Sequence, residues 1–176
     1  MNPCRILVAA TALVALAAPV HADLVLPRVS QSATTSQTIG VTQMTLTYSR
    51  PGVKGRVIWG GLVPYGKPWR TGANEATTFV PGTDITVGGK AVPAGNYTIF
   101  TVPNADKWTL IVNKKTGEWG IPYKYESDEL ARIDMKVAKL PSPVENFTIS
   151  FEKSGGGCTM NIDWETTRAS VDIKAK

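Results

Sequence analysis

The sequence has little of what hydrolases and metalloenzymes most often use. Its 176 residues include one histidine, His21, and two cysteines, Cys4 and Cys158. His21 and Cys4 both fall in an N-terminal stretch with the marks of a secretory leader. Arg5 supplies a positive n-region, residues 6–18 are a short apolar run, and Val20-His21-Ala22 is a small-residue cleavage site. The apolar run is too short to cross a bilayer comfortably, so residues 1–22 are expected to be a signal peptide, with the mature chain starting near Asp23. That mature chain would hold no histidine and only Cys158. A Ser-His-Asp triad, a Cys-His pair and a histidine-ligated zinc site are then excluded. An intramolecular disulfide is excluded too, despite an oxidising, periplasmic or extracellular destination.

Other absences narrow the field further. No G-x-x-x-x-G-K-S/T spacing occurs, so nucleotide binding through a phosphate loop has no support. Loss of Arg5 from 19 basic residues against 14 acidic leaves a net charge of +4. The two signs are interspersed, which argues against nucleic acid as a partner. No integral membrane segment is expected after leader cleavage. No residue pattern assigns a metal site or a cofactor, although oxygen-ligated metals, carboxylate pairs and lysine nucleophiles are not excluded by the missing histidine. There is no internal repeat, no inter-domain linker and no long helical period.

What is present is alternation. Ile133, Met135 and Val137 alternate with Arg132, Asp134 and Lys136; Phe147, Ile149 and Phe151 alternate with Thr148, Ser150 and Glu152; Cys158, Met160, Ile162 and Trp164 alternate with polar residues. Val171 and Ile173 do the same near the C-terminus. A period of two with one apolar face means antiparallel strands wet on one side. Gly88-Gly89 and the run Gly155-Gly156-Gly157 read as hairpin turns, and Pro93-Ala94-Gly95 as another turn. The apolar phase slips between Val41 and Met44, which predicts a bulge or tight turn at Thr42-Gln43. A single helical turn is expected over residues 127–130. About nine to ten short strands predict an all-β domain, an antiparallel β-sandwich or flattened barrel. Residues 23–37, rich in serine and threonine, read as an extended N-terminal arm or weak edge strand, and residues 38–176 as the single β-sandwich domain.

One stretch breaks the alternation. Residues 49–78, SRPGVKGRVIWGGLVPYGKPWRTGANEATT, hold six glycines, three prolines, five cations, two tryptophans and a tyrosine. Irregular backbone joined to charge and aromatic rings suits a ligand loop, and equally a packed corner. As a ligand loop, Arg50, Arg56, Arg70, Asn74 and Glu75 would supply polar contacts, with Tyr65 and Trp69 as apolar walls. Arg70 offers a planar fork for a carboxylate or phosphate. Glu75 could act as a general base if burial raised its pKa. As a corner, Glu75 would pair with Arg70 or Arg56 and pin the loop to the sheet. The turn at residues 49–56 carries three cations, which suit an anion site or a solvated basic tip. Of the five tryptophans, Trp108 and Trp164 sit in phase with core residues. Trp59, Trp69 and Trp119 lie in loops, where aromatic faces could stack on sugar rings or cover a sandwich end. Cys158 alternates with core residues, so a buried, inert thiol is expected.

The runs SRPGVKGR, IWGGLVPYGKPWRTGANEAT and VGGKAVPAGNYTIFTVP, followed by WTLIVNK and ENFTISFE, resemble a family of exported bacterial proteins catalogued as a domain of unknown function, DUF2911. The resemblance covers nearly all of the mature chain. It implies a secreted or periplasmic β-rich domain and brings no catalytic residues with it.

Together these readings give an exported ligand-binding or interaction module, whose partner is a small polar or anionic ligand or a glycan. Two alternatives stand beside it: a carboxylate-dependent hydrolase of envelope or extracellular glycans using Glu75, and a structural or assembly protein whose central stretch is a packing device.

Overall fold

The computed structural model describes residues 26–176; the leader and the first residues of the arm lie outside that range. Nine strands follow in order: β1 (Gln31–Ile39), β2 (Thr42–Arg50), β3 (Thr77–Pro81), β4 (Ile85–Val87), β5 (Lys90–Val92), β6 (Tyr97–Val102), β7 (Lys107–Asn113), β8 (Glu129–Ser154) and β9 (Gly157–Ala175). They form one antiparallel sheet in the order β1-β2-β3-β6-β7-β8-β9-β4-β5. A 3-10 turn at Glu126–Asp128 is the only helical element among the described residues, close to the turn expected at 127–130. None of these elements is a helix long and apolar enough to cross a membrane.

The local chemistry of the turns sets the hairpins. Val87 pairs with Lys90 across Gly88-Gly89. Gly88 has φ +53°, and a Cβ there would sit 2.3 Å from the Ile133 side chain, so conformation and space both demand glycine. The phase slip near residue 42 has a different origin from the one expected. The turn lies at Gly40-Val41, joining β1 and β2 as a two-residue loop with Ile39 opposite Thr42. Val41 is 94% exposed at its tip and was never part of the apolar face. Of the readings of the N-terminal arm, the structure gives an edge strand from Gln31, paired along its whole length with β2.

The sheet also merges segments that alternate separately in the sequence. β8 takes in both 133–137 and 147–152, and β9 takes in both 158–164 and 171–173. In β8 the ladder to β9 breaks between Lys139 and Val144 and again before Thr148. Pro141 and Pro143 lie in that gap and cannot donate ladder hydrogen bonds, so pairing lapses and the strand bends. In β9 the buried positions change from even numbers (Met160, Ile162, Trp164) to odd ones (Ala169, Val171, Ile173). Glu165, at φ 54° and paired with Val144, lies where the buried phase changes, opposite the break in β8.

The bend rolls the sheet on itself. The far half of β8 comes back over the end of β2, where Gly52 bridges to Asn146 and Phe147 N donates to Pro51 O at 2.9 Å. Arg50 spans the same seam, with Nε donating to Phe147 O and Nη2 to Thr148 Oγ1. The result is a flattened roll filled by one apolar cluster that includes Met44, Leu46, Phe79, Ile99, Trp108, Leu110 and Trp164. β6 and β7 are buried on both faces, because residues 114–128 cover their outer side with Tyr123 and Tyr125 against Phe100 and Ile111.

Candidate functional site

Residues 51–76 cross one end of the roll between β2 and β3, and their course is fixed by a few anchors. Trp69 exchanges backbone hydrogen bonds with Thr101 of β6 (2.8 and 2.9 Å). That pairing turns its indole inward, where it stacks on Trp164 at 5.7 Å and 15° and meets Trp59 and Phe147 edge-on. Trp69 Nε1 donates to Gly72 O, so the buried indole is satisfied. Thr71 and Asn74, at φ 54° and 58°, hold the left-handed conformation that side chains other than glycine rarely adopt. Thr71 is fully buried, and its carbonyl accepts from Thr77 Oγ1 at 2.7 Å. Gly72 must be glycine, since a Cβ would approach Ser49 O to 2.9 Å. Such strain persists only where surrounding contacts over-determine it, and functional loops are where it collects.

These constraints leave a cleft of about 430 Å³. Its deepest lining is Trp69 and Trp164, 9% and 1% exposed, with Val63 beside them. Val29, Leu62 and Ile121, all exposed, form apolar parts of the rim. Lys54, Arg56 and Arg70 also line it, and among the described residues no carboxylate does. Among the described residues, none of the three cations has an acid within salt-bridge distance. Arg56 donates to Val53 O and Gly52 O, which closes the turn that carries it.

Arg70 is the unusual member. Its Nε is buried with no hydrogen-bond partner, although most buried polar atoms have one. Its Nη1 makes a long contact of 3.4 Å to Trp119 O, and its guanidinium lies over the Trp119 ring. Burial lowers the proton affinity of Arg70 below the usual guanidinium value, and the charge of Glu75 partly opposes that. A guanidinium stays charged under any such shift, so the site holds a fixed cation with an open donor.

The sequence-predicted residues divide. Arg56, Trp69 and Arg70 meet in the cleft; Arg50, Tyr65, Asn74 and Glu75 do not line it. Arg50 is occupied in the β2–β8 seam. Asn74 Nδ2 donates to Ser30 O and Ser49 Oγ, tying the approach to β1 against β2. Tyr65 is half-exposed beside Asn104 and Asp106 in a separate shallow depression. Glu75 pairs with neither Arg70 nor Arg56; Arg28 takes both of its oxygens through Nη1, in an exposed pair. The hydrogen bonds from Arg28 hold the Glu75 carboxyl below the usual carboxylate range. That is the opposite of the raised pKa a general acid or base would need. The expectation failed because Arg28 lies 47 residues away in sequence, in a stretch that read only as a polar arm.

Lys54, Val29, Leu62, Ile121 and Trp164 belong to the cleft and were absent from the sequence-predicted set. Lys54 was visible as one of three cations in the 49–56 turn. The others carried only core or loop signals, and their convergence comes from the roll of the sheet. Of the three loop tryptophans, Trp69 is buried, Trp59 packs against the core, and Trp119 is 54% exposed with its face under Arg70.

The family described as Protein of unknown function (DUF2911) matches residues 30–173, a span that contains every cleft residue except Val29. No curated protein and no solved structure matches the chain.

Proposed function

The chain belongs to the DUF2911 family, and from that premise we propose that it is a small-molecule-binding module acting outside the cytoplasm, with the cleft between Trp69, Leu62 and Arg70 as its site. The size supports this: about 430 Å³ lies in the range of ligand pockets, and an apolar lining with a few convergent polar groups is their usual composition. The observation that carries the reading is Arg70. A buried donor with no internal partner costs about 1–3 kcal/mol, and among the described residues with such an atom Arg70 alone lines the cleft. Placement outside the cytoplasm rests on the leader-like character of residues 1–22.

The strained backbone at Thr71 and Asn74 fits the same reading, because rigid irregular loops hold binding groups in place without an ordering cost on association. Binding accounts for these features, and among the described residues the charged groups that line the cleft are all cations.

The test uses 1-anilinonaphthalene-8-sulfonate as a fluorescent reporter of an apolar site. The native protein is expected to bind it saturably at one site. Leu62→Trp, which places bulk at the exposed rim without touching the core, is expected to abolish that signal while leaving the denaturation midpoint in place. Absence of saturable binding by the folded wild-type protein would overturn the reading.

A further inference from the structure

The cleft's chemistry narrows the class of ligand. Resting on the binding reading above, we propose that the site takes an amphiphilic monoanion: an oxyanion head, carboxylate-like, held at Arg70, and an apolar body lying against Trp69 and Trp164. Three features of the cleft point to it.

The first is the open donor. Arg70 Nε is buried and unpartnered, and Nη1 has only the 3.4 Å contact to Trp119 O. The fold leaves that donor unpaired, and it belongs to a residue that lines the cleft. A guanidinium presents its N–H groups as a planar fork, the geometry that matches two oxygens of one oxyanion. A neutral hydroxyl would satisfy one donor and leave the charge uncompensated.

The second is the sign of the field. Arg70, Arg56 and Lys54 all line the cleft, and among the described residues no carboxylate lines it. Two acids lie near and both are engaged. Glu75 is held by Arg28, and Glu145 Oε1 accepts from Lys54 N at 2.9 Å. Low-dielectric walls of tryptophan and aliphatic carbon strengthen the attraction for an entering anion.

The third is the distribution of exposed apolar side chains. Nine large ones are exposed among the described residues. Val29, Leu62 and Ile121 line the cleft, and Trp119 lies under Arg70. Three of the nine thus converge on the cleft itself, and exposed apolar side chains gathered around a cavity mark a surface that meets an apolar partner. Cations within an apolar rim fit a ligand that is charged at one end and apolar along its body.

The experiment is displacement of the anilinonaphthalene reporter by decanoate and by decan-1-ol, both below their aggregating concentrations, from the full mature chain. Decanoate is expected to compete at least about tenfold more strongly, the equivalent of one charge-assisted hydrogen bond. Arg70→Gln is expected to remove that preference while decan-1-ol is unaffected. Should Arg70→Gln fail to fold, the exposed double variant Lys54→Gln/Arg56→Gln, with the salt dependence of decanoate binding, reads the same field: preference and salt dependence should both fall. Equal competition by the two probes would overturn the oxyanion assignment and leave the binding reading intact. No binding of reporter or either probe would overturn both. Binding to phosphatidylglycerol vesicles without binding of monomeric decanoate would overturn the small-ligand class in favour of docking on an anionic membrane surface.

Discussion

The guanidinium carbon of Arg70 lies 5.1 Å from the centre of the Trp119 ring, over its face. The two residues come from different loops, and Gly120 makes their approach possible: a Cβ there would sit 2.9 Å from Arg70 Cβ and 2.9 Å from Ala76 Cβ. Trp119 therefore holds the cation in place without neutralising it.

Trp119→Ala separates that role from folding. The indole is 54% exposed, so the denaturation midpoint should be unchanged. A cation–π contact at an exposed site contributes about 0.5–1 kcal/mol, so decanoate affinity should fall about two- to fivefold. Titration of wild type and variant side by side checks this; unchanged affinity would mean that Trp119 does not position Arg70.

The seam that rolls the sheet has its own test. Tyr48 Oη donates to Ile149 O at 3.2 Å and accepts from Ile149 N at 3.0 Å, joining β2 to the far half of β8. Tyr48→Phe keeps the ring and leaves both buried backbone groups unpaired, which should cost about 1–3 kcal/mol in urea unfolding. A variant as stable as wild type would show that the seam is held elsewhere.

Acid sensitivity should trace in part to Glu129. Arg132 donates Nε and Nη2 to its two oxygens at 2.7 and 2.8 Å, and Tyr123 Oη donates at 2.6 Å. The hydrogen bonds from Arg132, ahead of the opposing effect of burial, hold its carboxyl below the ordinary range. A folded-state pKa below the unfolded one adds stability above the unfolded value and loses it as pH falls through the depressed one. Unfolding free energies measured from neutral pH down through the carboxylate range should fall less steeply for Glu129→Gln than for wild type. Parallel curves would remove Glu129 from the account.

Cys158 should be silent in the native protein. It is 1% exposed, and burial, with a smaller effect from Asp172, pushes its thiol up to about 11. Only the thiolate attacks alkylating reagents, so labelling at neutral pH should appear in denaturant and not before it. Peptide mass spectrometry of iodoacetamide-treated native protein checks this, and native labelling at Cys158 would show local opening of β9.

How much of this was legible beforehand differs by residue. Alternation in 133–137, 147–152 and 158–164 gave the strands and their inward faces correctly, because a half-buried sheet imposes a period of two on the sequence itself. It did not show that the first two runs are one strand, since the joining segment around Pro141 and Pro143 looks like a loop until its ends are seen to share a partner. The irregular 49–78 stretch was recognisable from glycine and charge, and three residues named from it, Arg56, Trp69 and Arg70, meet in one cleft. The pairing of Glu75 with Arg70 or Arg56 does not form, because ion pairing depends on which elements the sheet brings together, and Arg28 reaches Glu75 across the approach to β1. Val29, Ile121 and Trp164 converge on the cleft for the same topological reason, which no local pattern records.

The most direct test of the central claim is a nuclear magnetic resonance titration that follows the arginine Nε–Hε signals as decanoate is added, with Arg70→Lys used to identify the Arg70 signal. The account predicts a saturable downfield shift of the Arg70 Hε resonance as its open donor finds an oxyanion. The Arg50 signal, whose Nε already donates to Phe147 O at 3.0 Å, should stay in place. A stationary Arg70 signal, or equal drift of all arginine signals, would contradict the claim that this cleft is built to receive an anion.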